Sequence, residues 1–519
     1  MSIAPPSSYG LLRLAAGPVS AVLVTLIPLP GLEPAAHATA GIATWMAIWW
    51  MTEAVPIPVT SLLPLVAFPV TGVLSYQEAA APYANHLIFL FMGGFFIAKT
   101  MERSGLHRRI ALRIVVAVGT EPRRLVLGVM LATALLSMWI PNTAVAVMML
   151  PIGMALIGEF RRQTDREVNH VNVENDHDVT TASPTDDSTK LPRAPDSGID
   201  ELSIALMLGI AYAASIGGVA TLIGTPPNLV FASMAEELVG EQIDFIAWMG
   251  VGLPISAFLL PAAWYYLTHL ACAVPKKGSL GRDFMHQQLR ALGRMSRSET
   301  AAATIFGITA IALVLRSEKQ IGDLVIPGLQ TFFPMVGDAT IVMAAAIGAF
   351  CVPLSLRKLE FALDWETGRD IRWGILILFG GGLSLAEAFQ SSGLSASIAN
   401  SVNRFEGAPE WVIVLASTSI IIFLTEMTSN TGTATLLMPL YASIAIGLSI
   451  HPYVMMASGA LAASMAFMLP VATPPNAIVY GSGMVTIPKM MRVGFVMNIG
   501  AIIATMLAAF FLIPRFLVS

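Results

Sequence analysis

Long apolar runs separated by short polar joints dominate the chain. Runs over residues 11–30, 38–55, 57–74 and 83–102 each suit a bilayer-crossing helix, since about 20 apolar residues cover a hydrocarbon core of roughly 30 Å. Leu106–Gly119 differs. Its Arg108, Arg109 and Arg113 share a helix with an apolar face, the pattern of a helix lying in the membrane interface. The run from Arg123 to Phe160 is too long for one crossing and is interrupted at Pro141, which predicts a re-entrant hairpin over 123–160 with Asn142 and Thr143 at its tip. Residues 161–200 are polar and rich in Asp, Ser, Thr and Pro, a composition expected to be disordered. Apolar runs resume at 202–222, break at IGTPPN (Ile223–Asn228), and return at 246–271 before a basic loop over 272–298.

The second half repeats this plan. Runs at 299–315 and 332–354 lead to Ile375–Leu394, which matches Leu87–Leu106 at an offset of 288 residues. At the same offset SMWIPNTAVAVMMLP (Ser137–Pro151) matches TEMTSNTGTATLLMP (Thr425–Pro439), so a second hairpin is expected over 411–449. The run 453–471 enters VATPPN (Val471–Asn476), which matches the first Thr-Pro-Pro-Asn at an offset of 248; the missing 40 residues equal the polar loop 161–200, an insertion in the first copy. A last run covers 494–515. The chain thus divides into an N-terminal span (1–36), a first repeat (37–271), the basic loop (272–298) and a second repeat (299–519).

Charge orients the copies. Segment 103–124 carries Arg103, Arg108, Arg109, Arg113, Arg123 and Arg124, whereas its counterpart 391–412 carries only Arg404. Positive segments stay in the cytoplasm, so the repeats run in opposite senses. Counting eleven spans and two hairpins from a cytoplasmic N-terminus puts the loops 272–298 and 355–372 inside and the C-terminus outside. The expected fold is an all-α polytopic membrane protein of about eleven transmembrane helices plus two re-entrant hairpins, in inverted repeats with discontinuous helices. That is the signature of a secondary transporter with a midplane site.

Composition agrees. With 55% hydrophobic and 12% charged residues and a mean hydropathy of +0.72, the chain is too apolar for a soluble multidomain protein. Cys272 and Cys351 are far apart and match no metal spacing. The first run has only Arg13 ahead of its apolar stretch and no clear small-residue cleavage site, so it reads as a span and not a removed signal. No HExxH or GxSxG occurs, and neither an enzyme nor a nucleic-acid binder is expected.

Four polar breaks, at 141–143, 224–228, 429–431 and 472–476, are expected to converge, because non-helical backbone at membrane depth is tolerated where it lines a cavity or meets a ligand. Freed carbonyls with Asn and Thr oxygens suit a hard cation such as sodium, and helix N-termini with hydroxyls suit an anion. Lys and Arg are absent from 125–160, 202–235, 411–450 and 453–488, so bound cations would have to balance an anion there. Glu426 faces Met138 in the repeat alignment. A buried carboxylate of this kind is either a proton or cation site or a packing element whose partner the sequence does not reveal. Glu53 reads as structural support.

The paired Asn-Thr tips, the paired Thr-Pro-Pro-Asn breaks and WWMTEAVPIPVTSLLP (Trp49–Pro64) closely resemble the divalent anion:sodium symporter family of sodium-coupled dicarboxylate, citrate and sulfate carriers. The resemblance implies a homodimer in the plasma (bacterial inner) membrane, working by an elevator motion on C4-dicarboxylates such as succinate, fumarate and malate. By position, a first sodium site would use Ser137, the Pro141 backbone, Asn142 and Gly224, and a second Thr425, Thr428, Asn430 and Ala472. Substrate carboxylates would meet Asn142, Thr143, Thr225, Pro226, Ser429, Asn430, Thr431, Thr473 and Pro474. Within the same fold, a sodium-independent dicarboxylate exchanger or a sodium-coupled sulfate or citrate carrier is the alternative. The family pattern at the first tip is Ser-Asn-Thr, and Pro141 replaces its serine; the hydroxyl and N–H are lost and the carbonyl kept.

Overall fold

Most apolar runs become helices, and proline fixes many of their ends. The structure, a computed structural model, describes residues 8–27, 32–175, 197–275, 282–321, 324–402 and 407–518. The run expected over 38–55 is the helix Pro34–Thr52, with proline in its first turn, where a missing N–H costs little because that donor has no intrahelical acceptor. The run expected over 57–74 divides into Ile57–Thr60 and Pro64–Thr71, because Pro64 cannot donate back into the preceding turn. Among the described residues seven helices are long and apolar enough to cross a membrane, and four more apolar helices are shorter. Asp338–Cys351 is one of the short ones and starts later than the expected 332, since Pro334 and Gly337 occupy the intervening turn. Exposed Val22, Ile308, Ile311, Ile347 and Phe511 are the apolar surface such a protein turns to lipid. Two short ribbons, Lys319–Ile321 with Leu324–Ile326 and Pro353–Ser355 with Glu360–Phe361, join helices where the apolar pattern gave no strand signal.

Both hairpins form where expected. Pro122–Ser137 is followed by the helix beginning at Asn142, and Glu410–Thr425 by Asn430–Gly447. The second arm of the first hairpin continues to Asn175, which corrects the disorder expected from residue 161. An already nucleated helix extends at little cost even where its sequence is polar. Residues 176–196 of that loop lie outside the described residues. The two broken helices are Ser197–Gly218 with Pro226–Val239 and Pro452–Ser464 with Pro474–Gly481.

The segment expected to lie in the interface forms the helix Leu106–Val118, and of its three arginines Arg109 is buried, at 4% exposed. Its guanidinium donates to both oxygens of the Glu299 carboxylate, at 2.8 and 3.1 Å, and to the Gly293 and Leu292 carbonyls. A bidentate pair with further acceptors offsets the desolvation of both charges. It ties this helix to the end of the basic loop.

Candidate functional site

Thr-Pro-Pro cannot continue a helix, and this local rule builds two walls of the site. Thr225 and Thr473 take extended backbone and cap Pro226–Val239 and Pro474–Gly481, with proline in the first turn, where it is tolerated. Thr473 Oγ1 accepts from the Asn476 N–H at 3.2 Å. Ser429 caps Asn430–Gly447 in the same manner, accepting from the Gly432 N–H. At the first tip Pro141 stands ahead of Asn142, where the opposing helix begins.

These four helix starts line one cavity of about 1030 Å³. Every expected anion contact is on its wall: Asn142, Thr143, Thr225, Pro226, Ser429, Asn430, Thr431, Thr473 and Pro474. Of the expected cation ligands, Pro141, Gly224, Thr428 and Ala472 also line it, whereas Ser137 and Thr425 are fully buried behind the tips.

The two buried hydroxyls repeat one arrangement. Ser137 Oγ lies 2.7 Å from Asn142 Oδ1 and 2.8 Å from the Ala214 carbonyl. Thr425 Oγ1 lies 2.8 Å from Asn430 Oδ1 and 3.3 Å from the Ala463 carbonyl. A hydroxyl has one proton to give, and in each cluster it meets two acceptor oxygens. This surplus of hard oxygen suits a sodium ion. Close backbone approach sustains the first cluster. A Cβ on Gly218 would stand 2.5 Å from Asn142 Oδ1, and one on Gly224 would stand 2.3 Å from the Gly218 carbonyl.

Residues that the sequence reading did not assign hold the breaks open. Asn228 Nδ2 donates to the Gly218, Val219 and Thr221 carbonyls. In the other copy Asn476 Nδ2 donates to those of Ala466 and Leu469. Thr221 Oγ1 donates to the Met138 carbonyl, linking the first break to the first tip. Trp248 Nε1 donates to the Val219 carbonyl at 3.0 Å. The asparagines of Thr-Pro-Pro-Asn thus clamp unwound backbone.

The structure gives Glu426 its partners. Its carboxylate, 3% exposed, accepts from the backbone N–H groups of Phe467, Met468 and Leu469 at 2.7–2.9 Å and from Asn498 Nδ2 at 2.8 Å. Three consecutive N–H groups freed by the second break form an anion nest, and the carboxylate fills it. Nothing equivalent is available at Met138 in the first copy.

Two cations also line the cavity, contributed from outside the segments that lack Lys and Arg: exposed Arg13 and half-buried Arg372. Burial pushes the Arg372 guanidinium down from its ordinary value, with the Glu102 charge opposing; arginine nonetheless stays charged in proteins. Glu53, expected as structural support, stands on the same wall with φ of 47°, a left-handed conformation that non-glycine residues adopt at a cost. Phe91 and Phe95 supply an apolar side.

A family model described as the sodium:sulfate symporter transmembrane region matches residues 10–516. The chain belongs to this family. Proteins named sodium-dependent dicarboxylate transporter SdcS are similar over nearly their whole length. The one from Staphylococcus saprophyticus is 39% identical over 507 residues, 97% of this chain and 91% of that protein. The one from Staphylococcus aureus strain MRSA252 is 36% identical over 518 residues, 98% and 92%. In fold alone, the chain is similar to the solved Neisseria gonorrhoeae MtrF, placed by its description in a class of antimetabolite efflux pumps, with a TM-score of 0.52 at 11% identity over 98% of this chain and 94% of that one. Family membership makes the chain an integral membrane transporter and not an enzyme.

Proposed function

We propose that the protein couples sodium entry to uptake of small dicarboxylates, with C4 acids such as succinate, fumarate and malate as substrates. The observation that carries this reading is the meeting of four helix N-termini and two hydroxyl–amide oxygen clusters at one cavity. A helix N-terminus favours an anion by roughly 0.3 to 2 kcal/mol, too little to hold a dianion in a low-dielectric site without counter-charge. Sodium at the first cluster (Ser137, the Pro141 carbonyl, Asn142, Gly224) and the second (Thr425, Thr428, Asn430, Ala472) supplies that charge. Each ligand then raises the affinity of the other, and this reciprocity is the coupling. The names of the relatives support both ion and substrate class.

The arginine-rich segment 103–124 supports a cytoplasmic N-terminus, an outward C-terminus and inverted repeats. Arg13, Glu53 and Arg372 then sit at the cytoplasmic mouth, and the cavity is read as open inward. Hairpins and broken helices carry the site past the remaining helices in an elevator motion, and the protein works as a homodimer in the plasma membrane. Both features come with the family resemblance. Purified protein in liposomes is expected to accumulate labelled succinate when sodium is high outside and not when potassium replaces it. Equal uptake in potassium, or uptake only into liposomes preloaded with a dicarboxylate, would overturn symport in favour of exchange; uptake of sulfate or citrate in place of succinate would overturn the substrate.

A further inference from the structure

Among the described residues the other buried or half-buried arginines have partners. Arg109 bonds Glu299, Arg316 pairs with Asp338, and Arg123 donates to the Val274 carbonyl. Arg372 is the exception. It is half-buried on the cavity wall, and among the described residues its guanidinium has no hydrogen bond or ion pair, only the more distant charge of Glu102. A desolvated guanidinium without a partner is unfavourable, and its planar fork of donors matches a carboxylate in bidentate fashion. Arg13, on the same wall, is exposed, so water and salt screen it. The helix starts at the two tips offer N–H groups and hydroxyls, with the charge of the sodium ions proposed beside them, to one end of an anion.

We propose that Arg372 determines charge selectivity: it takes one carboxylate of a dicarboxylate while the Asn-Thr tips and helix N-termini take the other. This rests on the reading of the cavity as a dicarboxylate site and names the group that recognises its second charge. The hydroxyl–amide contacts of the two cation clusters do not involve Arg372, so its replacement leaves those contacts in place. It also gives the cavity a reason to prefer a dianion over a monoanion of the same length, because the second carboxylate then has a charged partner of its own.

The test uses full-length purified protein in detergent with sodium, measuring equilibrium binding of succinate and of succinamate, in which one carboxylate is an amide. The wild type is expected to bind succinate about tenfold or more tightly than succinamate, the scale of one charged hydrogen-bonded contact. Arg372→Gln is expected to bind both about equally and to keep its thermal stabilisation by sodium. Arg372→Lys, with charge but no fork, is expected to fall between, and it carries the test if Arg372→Gln does not survive purification. A wild-type ratio of succinate to succinamate in the variant tested would overturn the proposal. No sodium-dependent succinate binding by the wild type would instead overturn the dicarboxylate reading on which it rests.

Discussion

Asn430→Ala is expected to abolish sodium-driven uptake, by at least about a hundredfold, while leaving expression and membrane insertion intact. Asn430 opens the second arm of its hairpin, lines the cavity, and directs Oδ1 to the buried Thr425 hydroxyl at 2.8 Å. The substitution therefore removes a proposed cation ligand and a proposed anion contact together, and losses of this kind at roughly 1.4 kcal/mol per decade compound quickly. It removes little packing, since alanine fits where the asparagine side chain faced the cavity. Reconstituted uptake at fixed sodium gradient measures it. Near-normal uptake would take the second tip out of the site.

Glu426→Gln is expected to fail for a different reason. Four donors converge on the Glu426 carboxylate, three of them consecutive backbone N–H groups. An amide has one acceptor oxygen, and its NH₂ would face N–H groups that then lose their partner. Breaking a buried charged network of this kind costs about 3 to 5 kcal/mol. The thermal midpoint of the detergent-solubilised protein is expected to drop by several degrees or more, with transport lost as the second break collapses. A wild-type midpoint combined with lost transport would reverse the assignment and make the carboxylate a proton or cation site.

The parts legible in the sequence were those with local causes. Proline stops a helix wherever it falls, so Thr-Pro-Pro marks the breaks at Thr225 and Thr473 directly. The recurrence of Asn142–Thr143 as Asn430–Thr431 at a constant offset marked the tips, and the structure brings both to one cavity. What stayed hidden depended on distant partners. Glu426 meets backbone about forty residues on, and backbone N–H groups leave no signature in residue type. The burial of Arg109 was not legible because Glu299, its partner, lies 190 positions away. Arg372 carries no local signal because it lies outside the segments around the breaks and reaches the cavity from the start of Trp373–Ser391. The helical extension to Asn175 escaped because a polar helix carries no apolar period.

Pro141 is where chemistry departs most from the symmetric plan. The second tip has the Ser429 hydroxyl capping its helix, and the first has a proline carbonyl with no hydroxyl to offer. The two ends of the cavity are therefore unequal hosts. The first cluster depends more heavily on Ser137, Asn142 and the glycine backbone at Gly218 and Gly224 that lets them approach.

An electron-microscopy map of the reconstituted protein in sodium and succinate, set against one in potassium and succinate, tests the site most directly. The expected result is density for the anion between the Asn142–Thr143 and Asn430–Thr431 tips, with ions beside Ser137 and Thr425, all lost in potassium. Succinate density elsewhere, or the same density at the tips without sodium, would contradict an anion held by helix ends and bound cations.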